Sequence, residues 1–206
     1  MMRFDGAIAG MGTSSGVRLV VGAWARSPYG AFTDVMVEHA GGHRVLLAPT
    51  QPVAEFVSAA YQFDEVRVGP TATRRHGPRW DVSAGPLELT FAVGTRTSLG
   101  MLLCVIPSAV TKARWFATAV DPIAQAALTG VHTRGTTKSG RREWYSAYDI
   151  HRIDSLQASW SGDDLGDLSR VEPPVRFGFA LTPANPSITH LTAAIDGRGA
   201  STTEVG

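Results

Sequence analysis

Short segments with strand-like patterns of apolar residues, separated by turn residues, run along most of this chain and predict a β-rich fold. Residues 18–26 have the β-branched and aromatic composition of a strand, residues 31–39 place alternate side chains on two faces, and Gly41-Gly42 predicts a tight hairpin into 44–47. Six further segments have strand-like composition and are bounded by turn residues: 63–68, 80–83, 87–93, 141–160, 175–181 and 188–195. The pattern therefore predicts about nine strands, with a long one at 141–160 and a closing hairpin at 175–195.

Two helices interrupt the strands. Residues 52–61 predict a short helix, with Thr50 before it as a cap and a proline in its first turn. Residues 108–128 predict a longer one, with apolar positions every three to four residues and Gly130 as its stop. Strands and helices do not alternate regularly, which argues against a doubly wound parallel sheet. We expect a mainly β fold of the α+β type: an antiparallel, closed or strongly curved β-barrel.

The domain organisation predicted from composition is simple. Residues 1–16 contain the stretch GMGTSSG, which predicts a flexible leader, and 197–206 predict a disordered tail. The glycines of the leader are close to a dinucleotide fingerprint, but a strand follows them where a helix N-terminus is needed. Residues 17–196 show no break in composition, so a single barrel-like domain is predicted there.

Charge and composition limit the partners. The formal net charge of +1 gives no electrostatic footprint for nucleic acid. The most apolar run, at 99–110, is too short for a membrane helix, and the N-terminus lacks the apolar core of a signal peptide. Cys104 is the only cysteine, which excludes an intrachain disulfide and a cysteine-based zinc site. We expect a cytoplasmic protein with no metal or other cofactor, and homo-oligomerisation is left open.

The long strand at 141–160 carries the main candidate chemistry. Period-two spacing places Glu143, Tyr145, Asp149 and His151 on one face. If that face points outward, it is a solvated surface. If it lines a lumen, these groups would bind a polar ligand or transfer protons, with Asp149 orienting His151.

Other candidates lie outside that strand. The chain has 17 arginines but only two lysines, Lys112 and Lys138, so amine chemistry depends on very few groups. Lys112 lies on the flank of the longer helix, where it is either a Schiff-base amine or a solvated edge residue. Trp115 lies opposite the apolar stripe, which suggests a pocket wall, a lid or a partner surface. Arg18 and Arg176 are candidate ligand-binding cations.

A resemblance adds to this picture. The stretches PYGAFTDVMVEHAGGHRVLLAPT, GRREWYSAYDIHRI and EPPVRFGFALTPANPS resemble a group of uncharacterised actinobacterial proteins. The order of a central hairpin, then a helix before a long strand, is distantly similar to the acetoacetate decarboxylase-like superfamily. That resemblance implies a cone-shaped β-barrel around a cavity. The decarboxylases use a Schiff-base lysine beside a second lysine, whereas Lys112 is followed by Ala113 and Arg114, which argues against that reaction.

Three functions are consistent with these features, and the sequence leaves open whether the chain is an enzyme. The first is a small-molecule-binding β-barrel protein of unknown ligand. The second is a lyase or decarboxylase-like enzyme acting on a small keto acid, with Lys112, Glu143 and Tyr145 as catalytic groups. The third is a non-catalytic protein that binds a partner near Trp115.

Overall fold

A computed structural model describes residues 2–105, 134–136, 142–178 and 182–195 of the chain. Most of the described residues belong to strands, and two short helices interrupt them. The elements in chain order are β1 (Met2–Thr13), β2 (Arg18–Arg26), β3 (Phe32–Glu38), β4 (Arg44–Ala48), α1 (Gln51–Ala60), β5 (Glu65–Val68), β6 (Thr71–His76), β7 (Arg79–Ala84), β8 (Leu87–Arg96), α2 (Ser98–Val105), β9 (Arg134–Thr136), β10 (Arg142–Trp160), β11 (Asp163–Asp164), β12 (Leu168–Ser169) and β13 (Ser187–Ile195).

The described strands form one strongly curled sheet that is open. Its main path runs β5-β4-β3-β2-β1-β13-β10-β8-β7-β6, and all pairings except the parallel pair β4–β5 are antiparallel. The β6 end of the path approaches β3, since Thr73 accepts a hydrogen bond from the Thr33 side chain and Thr71 donates one to the Thr33 carbonyl. The prediction of a curved, mainly β fold is confirmed, whereas closure and the count of nine strands are wrong. No ladder joins β5 to β6.

Each face of this sheet buries its own apolar cluster. The interior core lies inside the curl and is filled by side chains of β1–β4, β7, β8 and β10, including Met11, Leu19 and Phe91. The outer core lies on the opposite face of β1–β4 and β13, and α1 and segment 171–178 cover it. Large apolar residues therefore occur at both parities of β1, β2 and β3, as expected of strands buried on both faces.

The prediction of a flexible leader at 1–16 is wrong, because Met2–Thr13 forms β1. This strand lies between β2 and β13 in the sheet, with Ala7, Ala9 and Met11 in the interior core. The small residues of this segment, which are also typical of flexible chain, allow another part of the backbone to pack closely against β1. A Cβ at Gly12 would overlap the carbonyl oxygen of Arg170.

Replacing Gly12 by alanine should destabilise the fold by about 1–3 kcal/mol, since the backbone near Arg170 must move to accept the methyl group. Gly41→Ala is the matched control, because a Cβ there has open space around it. Urea denaturation measures both variants. Equal stabilities would contradict the close packing of β1 against segment 169–171.

The helices and the closing hairpin differ in part from the predictions. Helix α1 is confirmed close to its predicted bounds, although the Thr50 side chain makes no cap bond. Helix α2 begins after Thr97, whose Oγ1 accepts a hydrogen bond from the Gly100 backbone N–H. The predicted helix at 108–128 and the tail at 197–206 lie outside the described residues.

Residues 175–178 are not a strand; they cross the outer face, and Arg176 donates its backbone N–H to the Glu38 side chain. Among the described helices, none has the length and apolar character to cross a membrane.

Candidate functional site

The interior face of the sheet is apolar over most of its length and becomes polar at one end. On β13, Ile188 lies in the interior core, and His190 and Thr192 continue the same face beyond it. The register pairs His190 with Ala7 and Thr192 with Asp5 of β1. We name this region the polar end of the interior. Polar side chains bordered by a packed apolar core are typical of a binding site.

Asp149 of β10 lies at the polar end and organises its neighbours. Arg96 donates two hydrogen bonds to its carboxylate, from Nε to Oδ1 at 2.7 Å and from Nη2 to Oδ2 at 3.0 Å. Partial burial opposes ionisation, but the hydrogen bonds from Arg96 and His151 outweigh it and lower the pKa of Asp149. Asp149 is therefore an anion that holds two other side chains in place.

His151 contacts a hydrogen-bond acceptor with each ring nitrogen. Its Nε2 lies 3.2 Å from Asp149 Oδ2, and its Nδ1 lies 3.1 Å from the carbonyl oxygen of Gly94. Both contacts are hydrogen bonds at the same time only when each nitrogen carries a proton. The predicted contact between Asp149 and His151 is present, and together with the Gly94 carbonyl it fixes the orientation of the ring.

His190 and Tyr148 complete the polar end. The His190 ring centroid lies 6.5 Å from that of His151 and 6.3 Å from that of Tyr148. Burial lowers the pKa of His190; the charge of Asp149 opposes this, and those of Arg75 and His151 reinforce it. Burial raises the pKa of Tyr148. The site therefore combines a neutral imidazole with a neutral phenol at neutral pH. Within the described residues, no group of three His, Cys, Asp or Glu side chains could hold a metal ion.

A β-bulge in β10 divides the face predicted from the odd-numbered residues. Ala147 pairs with Leu191 of the outer-core face, but the register shifts and Asp149 pairs with His190 of the interior face. Tyr148 is the extra residue at this point. The single continuous face predicted for Glu143, Tyr145, Asp149 and His151 is therefore wrong. The backbones of Glu143 and Tyr145 pair with Ile195 and Ala193, and their side chains lie outside what the structure describes.

Arg18 and Arg176 lie on the outer face, away from the polar end. Both bind Glu38, whose side chain is fully buried: Arg18 Nη2 and Arg176 Nε each lie 2.8 Å from Glu38 Oε1. The Arg176 backbone N–H donates to Glu38 Oε2 at 2.7 Å. This arrangement fastens segment 171–178 to β3, so the two arginines are brought together as part of the scaffold. The candidates Lys112 and Trp115 lie outside the described residues.

A wide trough of about 910 Å³ lies on the solvent-facing side of β6–β8 and β10. Three of its carboxylates already have partners: Arg79 and Thr90 donate to Asp81, Ser83 donates to Glu88, and the Gly166 backbone N–H donates to Asp164. Such a broad, open surface with internally bonded acids is typical of a solvated sheet face. The polar end is a better candidate because its groups are partly buried.

Three residues of the polar end are not among the candidates predicted from the sequence: Arg96, Tyr148 and His190. His190 lies two residues after Ile188 in an alternating strand, so its face could have been assigned, but the end of the curl on which it lies could not. Tyr148 falls on the even-numbered face of residues 141–160, and the pattern gives no sign of the bulge that moves it to the interior. Arg96 lies 53 residues from Asp149, a separation that no local pattern detects.

Comparison with known proteins gives one distant likeness. The chain is similar to a crystal structure of acetoacetate decarboxylase from Legionella pneumophila subsp. pneumophila str. Philadelphia 1, with a TM-score of 0.44 and 9% identity. The match covers 96% of this chain and 85% of that chain. No protein family and no curated protein matches the sequence. At this TM-score and identity, the likeness assigns neither a family nor an activity to this chain.

Proposed function

We propose that this protein binds a small anionic molecule, such as a carboxylate, at the polar end of the interior. Among the described residues, cationic side chains outnumber anionic ones there. Arg3 and Arg26 act on Asp5, Arg75 acts on His190 and Arg96 acts on Asp149, so four arginines face two carboxylates. An excess of positive charge beside an apolar core favours a negatively charged ligand over a neutral one.

The observation that carries this proposal is the placement of His190. It is half-buried on the interior face, between the Tyr148 and His151 rings and within the electrostatic reach of Arg75. A neutral imidazole can donate one hydrogen bond and accept another, so it can orient a carboxylate or carbonyl group. The apolar residues behind it would contact the carbon skeleton of the ligand.

Calorimetric titration at pH 7 with pyruvate, acetoacetate and succinate tests this proposal, with acetone as the neutral comparison. We expect at least one carboxylate to bind more tightly than acetone. His190→Ala should weaken that binding about 10–100-fold through the loss of a charge-assisted hydrogen bond. His76→Ala, at an exposed position of β6, is the matched control and should bind normally. Binding by none of the three acids, or unchanged binding to the His190 variant, would overturn the proposal.

The pair His151 and His190 also favours a second function, proton transfer to or from a small keto acid at the same site. Asp149 and the Gly94 carbonyl orient the His151 ring, and His190, whose pKa is lowered by burial, is a neutral imidazole that can accept a proton. The amine route through Lys112 is tested by borohydride trapping with a β-keto acid, read by mass spectrometry. A covalent adduct that is absent in Lys112→Arg would support the amine route, and the absence of any adduct would count against it.

Cytoplasmic location and homo-oligomerisation stay predictions.

A further inference from the structure

A small cavity lies on the outer face of the sheet, opposite the polar end. Its volume is about 40 Å³, and residues of β1–β3, β13 and α1 line it. Aromatic rings form much of its wall: the Phe4 ring stacks on Phe56 at 5.0 Å and meets Trp24 edge-on at 5.6 Å, and Phe32 contacts both Phe4 and Trp24. The rest of the lining is apolar except for one acidic residue of β3 and for Tyr61, which directly follows α1.

That residue of β3 is Asp34, and its carboxylate is buried in the cavity wall. The side chain is 2% exposed, and its Oδ1 accepts a hydrogen bond from Trp24 Nε1 at 3.0 Å. Across the described part of the chain, no ion pair within 4.0 Å includes Asp34. Gly22 on the adjacent strand leaves room for this pair, since a Cβ there would overlap Asp34 Oδ1 and crowd Trp24 Nε1. A buried carboxylate without a cation, in an aromatic enclosure, is an unbalanced charge.

We propose that this cavity, walled by Phe4, Trp24 and Phe56 with Asp34 at its side, binds a small alkylammonium group. Aromatic faces attract a cation through their quadrupoles, and the attraction is strongest when the cation is desolvated. Asp34 Oδ1 and Oδ2 supply the opposite charge and an acceptor for an N–H group. The apolar wall suits the alkyl carbons, which a metal ion or a hydrated cation lacks.

The size of the cavity limits the ligand to about three non-hydrogen atoms inside it, since a probe sphere of water size takes roughly 10–15 Å³ of such volume. Trp24, Phe32 and Phe56 are partly exposed, so the cavity reaches the surface beside them. Tyr29, which is exposed, stands next to Phe56 with ring centroids 5.4 Å apart. A longer amine could therefore place its head group inside and its remainder along Tyr29.

Binding should be coupled to proton release. Burial raises the pKa of Asp34 to about 7, with the Trp24 hydrogen bond acting in the opposite direction. The ammonium group requires the ionised carboxylate, so below pH 7 its entry displaces a proton to solvent and its apparent affinity falls. The only other titratable side chain among the described residues that line the cavity from β1, β2, α1 or β13 is Tyr61, at the end of α1.

Ethylammonium chloride is the probe that tests this site, with sodium chloride at equal concentration as reference and ethanol as the neutral ligand of equal size. The readout is the ¹H–¹⁵N signal of the Trp24 indole N–H, assigned with Trp24→Phe. At pH 8.5 we expect a saturable shift with a dissociation constant of about 1 mM or weaker, as suits a three-atom ligand. At pH 5.5 the affinity should fall about 30-fold, because about 3% of Asp34 is then ionised.

Asp34→Asn should abolish ethylammonium binding and its pH dependence, whereas Asp163→Asn, at an exposed carboxylate, should retain both. Phe56→Leu should weaken binding without removing the pH dependence, because it removes one aromatic face and keeps the charge. The proposal is overturned if ethanol binds as well as ethylammonium, or if affinity is the same at pH 5.5 and 8.5. Both of these comparisons use the wild-type chain, so they decide the question even if Asp34→Asn does not fold.

Discussion

Glu38→Ala is expected to lower the free energy of unfolding by about 3–5 kcal/mol, the cost of removing one partner from a buried ion pair. The Glu38 side chain is fully buried, and Arg18, which it binds at 2.8 Å, is 3% exposed. Without Glu38, the Arg18 guanidinium remains buried with no opposite charge. In the part of the chain that the structure describes, the Arg18 Nε already has no hydrogen-bond partner, so no acceptor there compensates for the loss of Glu38.

The second arginine of this site provides an internal comparison. The Arg176 side chain is 65% exposed, so Arg176→Ala should cost only about 1 kcal/mol or less, as for surface pairs. Glu55→Ala, at an exposed position on α1, controls for loss of a glutamate and should change stability little. Guanidinium denaturation measures all three variants. A loss for Glu38→Ala no larger than that for Arg176→Ala would contradict the role of Glu38 as the buried link between β3 and segment 171–178.

Asp34→Asn is expected to stabilise the protein at pH 8 and to change the pH dependence of its stability. The folded-state pKa of about 7 lies above the ordinary value of 3.8 for an aspartate, so between these two values the folded state binds a proton that the unfolded state has lost. The contribution of Asp34 to stability is therefore complete below about pH 4 and is lost as the pH rises through 7. Between these two pH limits, the contribution of Asp34 to the free energy of unfolding falls by an amount on the order of 4 kcal/mol.

Asparagine has the same shape and can still accept the hydrogen bond from Trp24 Nε1, so the substitution removes the ionisation and keeps the contact. Unfolding curves at pH 5, 6, 7 and 8 should show the variant and the wild type converging at low pH and diverging above it. Asp163→Asn, at an exposed position, should follow the wild type at every pH. If Asp34→Asn is less stable than the wild type at pH 8, the buried carboxylate has a favourable partner and the charge imbalance inferred for the cavity is wrong.

Asp34 and Glu38 lie on the same face of β3, and their effects on stability differ because different groups cover them. Asp34 and Glu38 both project to the outer face of β3. Glu38 meets Arg18 and segment 171–178, which neutralise it. Asp34 meets Trp24 and the aromatic wall beneath α1, which contain no opposite charge. One acid therefore stabilises the fold, and the other carries a stability cost at neutral pH that is typical of functional groups.

Short-range patterns in the sequence specify much of the local structure of this protein. The strand-like composition of 18–26 and 31–39, the glycine pair at the hairpin and the proline in the first turn of α1 are such patterns, and the structure has a strand, a hairpin or a helix at each of them. The contact between Asp149 and His151 is also local, since the two residues are neighbours on one strand. Backbone geometry within a few residues is enough to specify such features.

The tertiary structure alone decided which of these features form sites. It placed Met2–Thr13 in the middle of the sheet, and it moved Asp149 to the interior face through a bulge at Tyr148. It brought His190 and Arg96 to Asp149, and it enclosed Asp34 beneath a helix. Each outcome depends on contacts between residues distant in sequence, where burial and charge are set by whichever element packs on top.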